Sequence, residues 1–151
     1  MKPDETVCYN IKFAWHAIHR MYNSIAVKES ITTSIGFVLL NIDVESGTPA
    51  TKIAPLIGLE TRSLTRMLKS LESDGLIYRS SDPSDKRLVR IFLTTLGKQK
   101  REAARRSVKA FNLLVREKIA PAKLDVFFDV INQILKTAES GKQEIHETIN
   151  P

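Results

Sequence analysis

The sequence predicts a mainly α fold carrying one small β element, and three observations predict it. Apolar residues recur at steps of three and four along most of the chain, the signature of helices with one buried face. Only Arg87–Leu93 alternates strictly, with Val89, Ile91 and Leu93 on one face and Leu88, Arg90 and Phe92 on the other. The polar run Ser80–Lys86 just before it is a turn by composition.

Taken in order, residues 5–28 read as a long helix. Val7, Ile11, Ala14, Trp15, Ile18, Tyr22 and Ile25 make a stripe along about five turns. That is more apolar face than one small domain uses, and it points to packing on a partner chain. Ser30–Ser34 offers caps for a second helix that buries Ile35, Val38, Leu39 and Ile42 and ends at Ser46-Gly47. Thr48–Gly58 is expected to be a short helix with Ile53, Leu56 and Ile57 inward; Pro55 either belongs to its first turn or kinks it.

Gly58 turns the chain into a helix over Glu60–Ser73, where two stripes interleave. Leu64, Met67, Leu68 and Leu71 form an apolar face, while Arg62, Thr65, Arg66 and Lys69 form a cationic, hydrogen-bonding face. Glu60 suits the positive end of the helix dipole, and Asp74-Gly75 closes the helix. Leu76–Arg79 reads as a strand that pairs with Arg87–Leu93, a hairpin of the kind called a wing in DNA-binding domains. Such a hairpin needs the neighbouring helices beneath it. Thr94 or Thr95 caps a long helix to about Lys118 with Ala104, Val108, Phe111 and Leu114 or Val115 inward. Pro121 restarts a last helix, Ala122 to about Glu139, with Leu124, Phe127, Phe128, Ile131, Ile134 and Leu135. Its wide apolar face again suggests another subunit. From Ser140-Gly141 a polar, fraying tail is expected.

At 151 residues the chain is expected to be one domain, 1–151. Its single cysteine, Cys8, forbids an internal disulfide and suits a reducing compartment. No signal peptide and no membrane span are expected, which places the protein in the cytoplasm. The net charge of +6 is localised: Glu60–Arg106 holds 12 Lys and Arg against 6 Asp and Glu, and the rest of the chain balances at 11 of each. An excess confined to the cationic helix, the hairpin and the helix after it favours a polyanionic partner. A merely solvated basic surface is the alternative.

The element order, Asp82-Pro83-Ser84-Asp85-Lys86-Arg87 with its Leu93-Thr94-Thr95-Leu96-Gly97 exit, and the link Leu71–Arg79 resemble the MarR family of bacterial transcriptional regulators. The resemblance implies a winged helix-turn-helix, mainly α with a small β wing, flanked by N- and C-terminal dimerisation helices. On this chain it puts the DNA-binding region at 31–94 and the dimerisation helices at 5–28 and 95–140. Pro55 departs from the family's pattern. A homodimer is implied, each subunit placing one helix in a major groove and a wing over a minor groove of near-palindromic double-stranded DNA. A small aromatic or amphipathic effector is implied too, in a pocket between dimer helices and reading head. Trp15, Tyr22, Phe37 and Phe111 are the bulky candidates there.

On the cationic helix, Arg62 and Arg66 can contact phosphates or read guanine edges, and sequence does not choose between these. Thr61, Ser63 and Thr65 reach bases or phosphates near the helix start, and Lys69 contacts phosphate. In the wing, Arg87 is expected to enter a narrow minor groove. Asp85 is expected to orient Arg87 or another arginine by a charge-assisted pair, and Lys86 and Arg90 to add phosphate contacts. Cys8 offers a peroxide-sensing alternative, since some relatives sense through a first-helix cysteine; a small apolar role is the plainer one. His16 and His19 lack the further ligands a metal needs, and no cofactor is expected. A protein-interaction module without DNA binding is the competing class. No nucleophile elbow, phosphate loop, zinc-protease helix or dinucleotide fingerprint suggests an enzyme.

Overall fold

The computed structural model describes residues 1–149. They fall into two compact units, Met1–Val108 and a second that begins at Lys109.

In the first unit, α1 (Val7–Ala26) starts where the Thr6 side chain accepts the Tyr9 amide at 3.3 Å. Only Tyr22 of α1 is buried; Val7, Ile11, Phe13, Trp15 and Ile25 remain exposed. α2 (Thr33–Leu40) is capped in the same way by Thr32, which accepts the Ile35 amide at 3.2 Å. Asn23 pins the two helices together. Its side-chain oxygen accepts the Thr33 amide at 3.0 Å and the Thr33 hydroxyl at 2.6 Å, so the buried start of α2 keeps no orphan donor there.

α2 ends at Leu40, earlier than the expected Ser46-Gly47. The Asn41 side chain donates to the Phe37 carbonyl at 2.9 Å, and the Asp43 carboxylate collects the amides of Glu45 and Ser46 at 3.0 and 2.7 Å. An aspartate that binds its own backbone two and three residues on favours a turn over helix. A short strand then appears where helix was expected: β1 (Thr48–Pro49). α3 (Ala50–Ile57) follows, and Gly58 ends it. Its inward stripe is Ala50, Ile53, Ala54 and Ile57, so Leu56 falls off that face and is exposed, against expectation. Pro55 lies in the last turn rather than the first, where the helix has only two residues left to run.

α4 (Thr61–Ser73) buries Leu64, Leu68 and Leu71, as its apolar stripe requires. Glu60 is its N-cap position rather than part of its first turn. β2 (Ile77–Ser81) and β3 (Val89–Leu93) form the hairpin, with Ile77 opposite Leu93 and Ser81 opposite Val89. β1 adds antiparallel to the free edge of β3, Thr48 opposite Ile91, giving the order β1-β3-β2. Ile91 and Leu93 face the core, but Val89, near the tip, is exposed. The core joins Val38, Leu39, Ile42, Ile53, Leu64, Leu68, Leu71, Leu76, Ile77, Ile91 and Leu93, so helices and sheet share one apolar interior. Burying each of the large side chains contributes about 1.5–3 kcal/mol.

α5 (Thr95–Lys118) begins at a tight joint. Thr94 accepts the Gly97 amide at 3.0 Å, donates its hydroxyl to the Gly75 carbonyl at 2.6 Å, and gives its own amide to Leu76 at 3.1 Å. A Cβ on Gly97 would lie 1.9 Å from the Leu76 carbonyl oxygen, which explains the glycine of the exit motif. In the first unit α5 buries Ala103; further on, Leu114 is exposed and Val115 half-buried.

In the second unit, α6 (Pro121–Ser140) buries Leu124 and exposes Val126, Phe127, Phe128, Val130 and Leu135. The expected fraying tail is instead a helix, α7 (Lys142–Ile149), with Ile145 and Ile149 one turn apart. No helix among the described residues is long and apolar enough to cross a membrane.

Candidate nucleic-acid interface

Packing α4 through its leucines turns its other stripe outward. Thr61, Arg62, Ser63, Thr65, Arg66 and Lys69 are all exposed. The Thr65 hydroxyl donates to the Thr61 carbonyl at 2.9 Å, so its proton is turned back to the helix and only its lone pairs face out.

The wing tip is organised by two aspartates. Asp82 is buried, 5% exposed, and one of its carboxylate oxygens takes the Ser84 hydroxyl at 2.5 Å and the amides of Ser84 and Asp85 at 2.8 and 3.3 Å. Its other oxygen takes the Arg90 guanidinium at 2.6 Å. The Ser84 hydroxyl first, and then Arg90, hold the Asp82 carboxyl far below the usual carboxylate range. Asp85 accepts the Arg87 backbone amide at 3.0 Å. It therefore shapes the turn at Arg87 through the main chain rather than through the expected pair with a guanidinium. Lys86 and Arg87 are exposed at the tip.

Arg90, expected to contact phosphate, has its guanidinium on protein acceptors: Asp82, the Ser46 carbonyl at 2.9 Å and the Gly47 carbonyl at 3.1 Å. Asp82 itself is the residue that sequence reasoning missed. The Asp-Pro-Ser spacing is an Asx-turn signal, but the arginine partner is not visible from it.

The other cations divide cleanly. Arg79 holds Glu72 at 2.9 Å and Arg105 holds Glu102 at 2.8 Å. Arg62, Arg66, Lys69, Lys86 and Arg87 have no acidic partner among the described residues. Cations kept clear of carboxylates leave their donors and their field open to an incoming anion.

Elsewhere in the first unit, Trp15 and Phe37 lie 5.7 Å apart, centroid to centroid, and Tyr22 meets Phe37 edge-on at 6.2 Å. Trp15, Phe37, Asn41, Leu56, Ile57 and Leu59 line a groove of about 280 Å³. A second cleft beneath Tyr22 and Phe37 offers only about 30 Å³. Phe111 belongs to the second unit. Cys8 is exposed on α1. No group of three or more His, Cys, Asp or Glu is set to hold a metal among the described residues.

Residues 31–89 match the family model described as MarR family. Over 95 residues the chain is 35% identical to the HTH-type transcriptional regulator TtmR of Methylorubrum extorquens; the match covers 63% of this chain, which spans about half (49%) of that relative's length. The fold resembles that of MepR from S. aureus, solved in complex with DNA, with a TM-score of 0.79 and 21% identity over 87% of this chain and 98% of that one. It also resembles the transcriptional repressor CouR, solved on a 23-mer DNA duplex, with a TM-score of 0.74 and 25% identity over 87% and 94% of the two chains. CouR from Rhodococcus jostii has also been solved with p-coumaroyl-CoA. TtmR is described as a transcriptional regulator and CouR as a transcriptional repressor.

Proposed function

We propose that this chain, whose residues 31–89 match the MarR family model, is a DNA-binding transcriptional regulator of that family, a repressor that holds a near-palindromic operator as a homodimer. In this reading α4 enters the major groove, where Arg62 and Arg66 meet base edges or phosphates and Lys69 meets phosphate. Arg87 enters the adjacent minor groove. The observation that carries the reading is the set of five exposed cations on α4 and the wing that no carboxylate neutralises among the described residues. The DNA complex of CouR, a relative at 25% identity, supports it.

The exposed apolar residues of α1 and α6 support pairing of two chains, and a two-fold protein fits a two-fold site. The groove beside Trp15 and Phe37 supports a small aromatic or amphipathic effector, as does the p-coumaroyl-CoA complex of CouR. Release is then a population shift: the effector favours a spacing of the two reading helices that no longer matches the ~34 Å repeat of the double helix.

The test is binding to the DNA upstream of the protein's own coding region, across a salt series, for wild type, Arg66→Ala and Arg87→Ala. Wild-type affinity should fall steeply with salt, and each substitution should flatten the log-log slope by about one. Binding that ignores salt and both substitutions refutes the reading in favour of a protein-interaction module.

A further inference from the structure

We infer that Arg90 and Asp82 are positioning residues for the wing arginine, a clamp that fixes Arg87 over the minor groove without touching the nucleic acid. The inference rests on the regulator reading for what Arg87 meets, and on the structure alone for the clamp.

Arg90 lies on β3 but reaches two other segments at once. Its Nη1 donates to Asp82 at 2.6 Å, its Nε to the Ser46 carbonyl at 2.9 Å and its Nη2 to the Gly47 carbonyl at 3.1 Å. Three edges of one rigid plane are thus committed to three acceptors, a geometry that a lysine ammonium on a flexible stem does not reproduce. From Asp82 the contacts continue to the Ser84 and Asp85 amides, and from Asp85 to the Arg87 amide. An unbroken series of polar contacts therefore runs from the loop before β1 to the exposed tip. A phosphate approaching Arg90 would meet the Asp82 carboxylate beside it, and the Arg90 side chain is only 21% exposed. Both facts disfavour the direct contact that its place in the wing suggests.

The discriminating variant is Arg90→Lys, which keeps a cation for phosphate and loses the three-pronged geometry. It is compared with Arg90→Ala, Arg87→Ala and the Arg87→Ala/Arg90→Ala double variant, below the unfolding temperature of each. Hydroxyl-radical footprints report the minor groove, and guanine methylation protection reports α4 in the major groove. Arg90→Lys and Arg90→Ala should each lose the minor-groove footprint and about tenfold in affinity, as Arg87→Ala does, while major-groove protection persists. The double variant should be no weaker than Arg87→Ala, because residues acting through one contact do not add.

Amide exchange of the free chain over Asp82–Arg87 should quicken in Arg90→Lys. Unchanged exchange overturns the clamp whatever the DNA results. Wild-type-like binding by Arg90→Lys, or additive losses in the double variant, overturns the positioning role and restores a direct phosphate contact. A wild-type chain that ignores DNA refutes the regulator reading, and with it the role given to Arg87, even if the exchange result upholds the clamp.

Discussion

Gly97→Ala sets two effects of opposite sign against each other. Gly97 lies in the first turn of α5, and alanine there should strengthen the helix by up to about 1 kcal/mol on propensity alone. The new Cβ, however, would lie 1.9 Å from the Leu76 carbonyl oxygen, about 1.5 Å inside ordinary contact, and the obstacle is backbone. Relief requires α5 to withdraw from the link between α4 and β2. That movement stretches the bonds from the Thr94 amide to Leu76 and from the Thr94 hydroxyl to Gly75. Two hydrogen bonds at about 1 kcal/mol each, plus the cost of leaving their carbonyls poorly satisfied, outweigh the propensity gain. The expected net loss is about 2–4 kcal/mol, or roughly 5–15 °C in Tm for a chain of this size. Thermal and urea unfolding followed by far-ultraviolet circular dichroism measure it, at one protein concentration, since association would move Tm with dilution. An alanine variant that melts at or above the wild-type temperature refutes the reasoning.

Asp82 titrates lower folded than unfolded, so its stabilisation is complete above the ordinary carboxylate pKa and is lost as pH falls below about 4. Asp82→Asn should be less stable at neutral pH and show a shallower acid limb; parallel limbs in a urea series across pH would contradict this. Asn23→Ala strands the Thr33 amide and hydroxyl at the buried start of α2 and should cost about 1–3 kcal/mol, read from the same melts; an unchanged Tm would show that water replaces the pin. A small aromatic molecule entering the groove should alter the emission of Trp15, the chain's sole tryptophan, and Phe37→Ala should weaken that response severalfold. Identical titrations for the two proteins would exclude the groove as the binding place.

What could be read from the sequence was whatever repeats. The two stripes of α4 and the alternation of β3 recur often enough to fix which side chains turn in, and the exposure of Arg62, Arg66 and Lys69 follows from the first of them. What escaped depends on segments far apart in sequence. β1 is two residues long, too short to show any period, and exists because Thr48 meets Ile91. Alternation puts Arg90 on the outward face, and only the approach of Ser46 and Gly47 converts it from a surface cation into an anchor. Gly47, read as a helix stop, has φ +64° and lies so close to Ile91 and Phe92 that a Cβ would come within 2.8 Å of both. The early end of α2 rests on an aspartate competing with its own helix, and α7 on a polar stretch whose two isoleucines were too few to suggest helix.

The smallest strand has a kinetic consequence. The β2–β3 hairpin closes locally and can form within microseconds, whereas β1 meets β3 only after the intervening chain, α3 and α4 included, has been gathered in. The stitch between Thr48 and Ile91 is therefore placed late on the route from disordered chain to native protein. Loosening the turn that delivers it, as in Thr48→Ala, which removes the hydroxyl's bonds to the Asp43 amide and the Asn41 carbonyl, should hasten unfolding and leave the refolding arm of a chevron plot where it was.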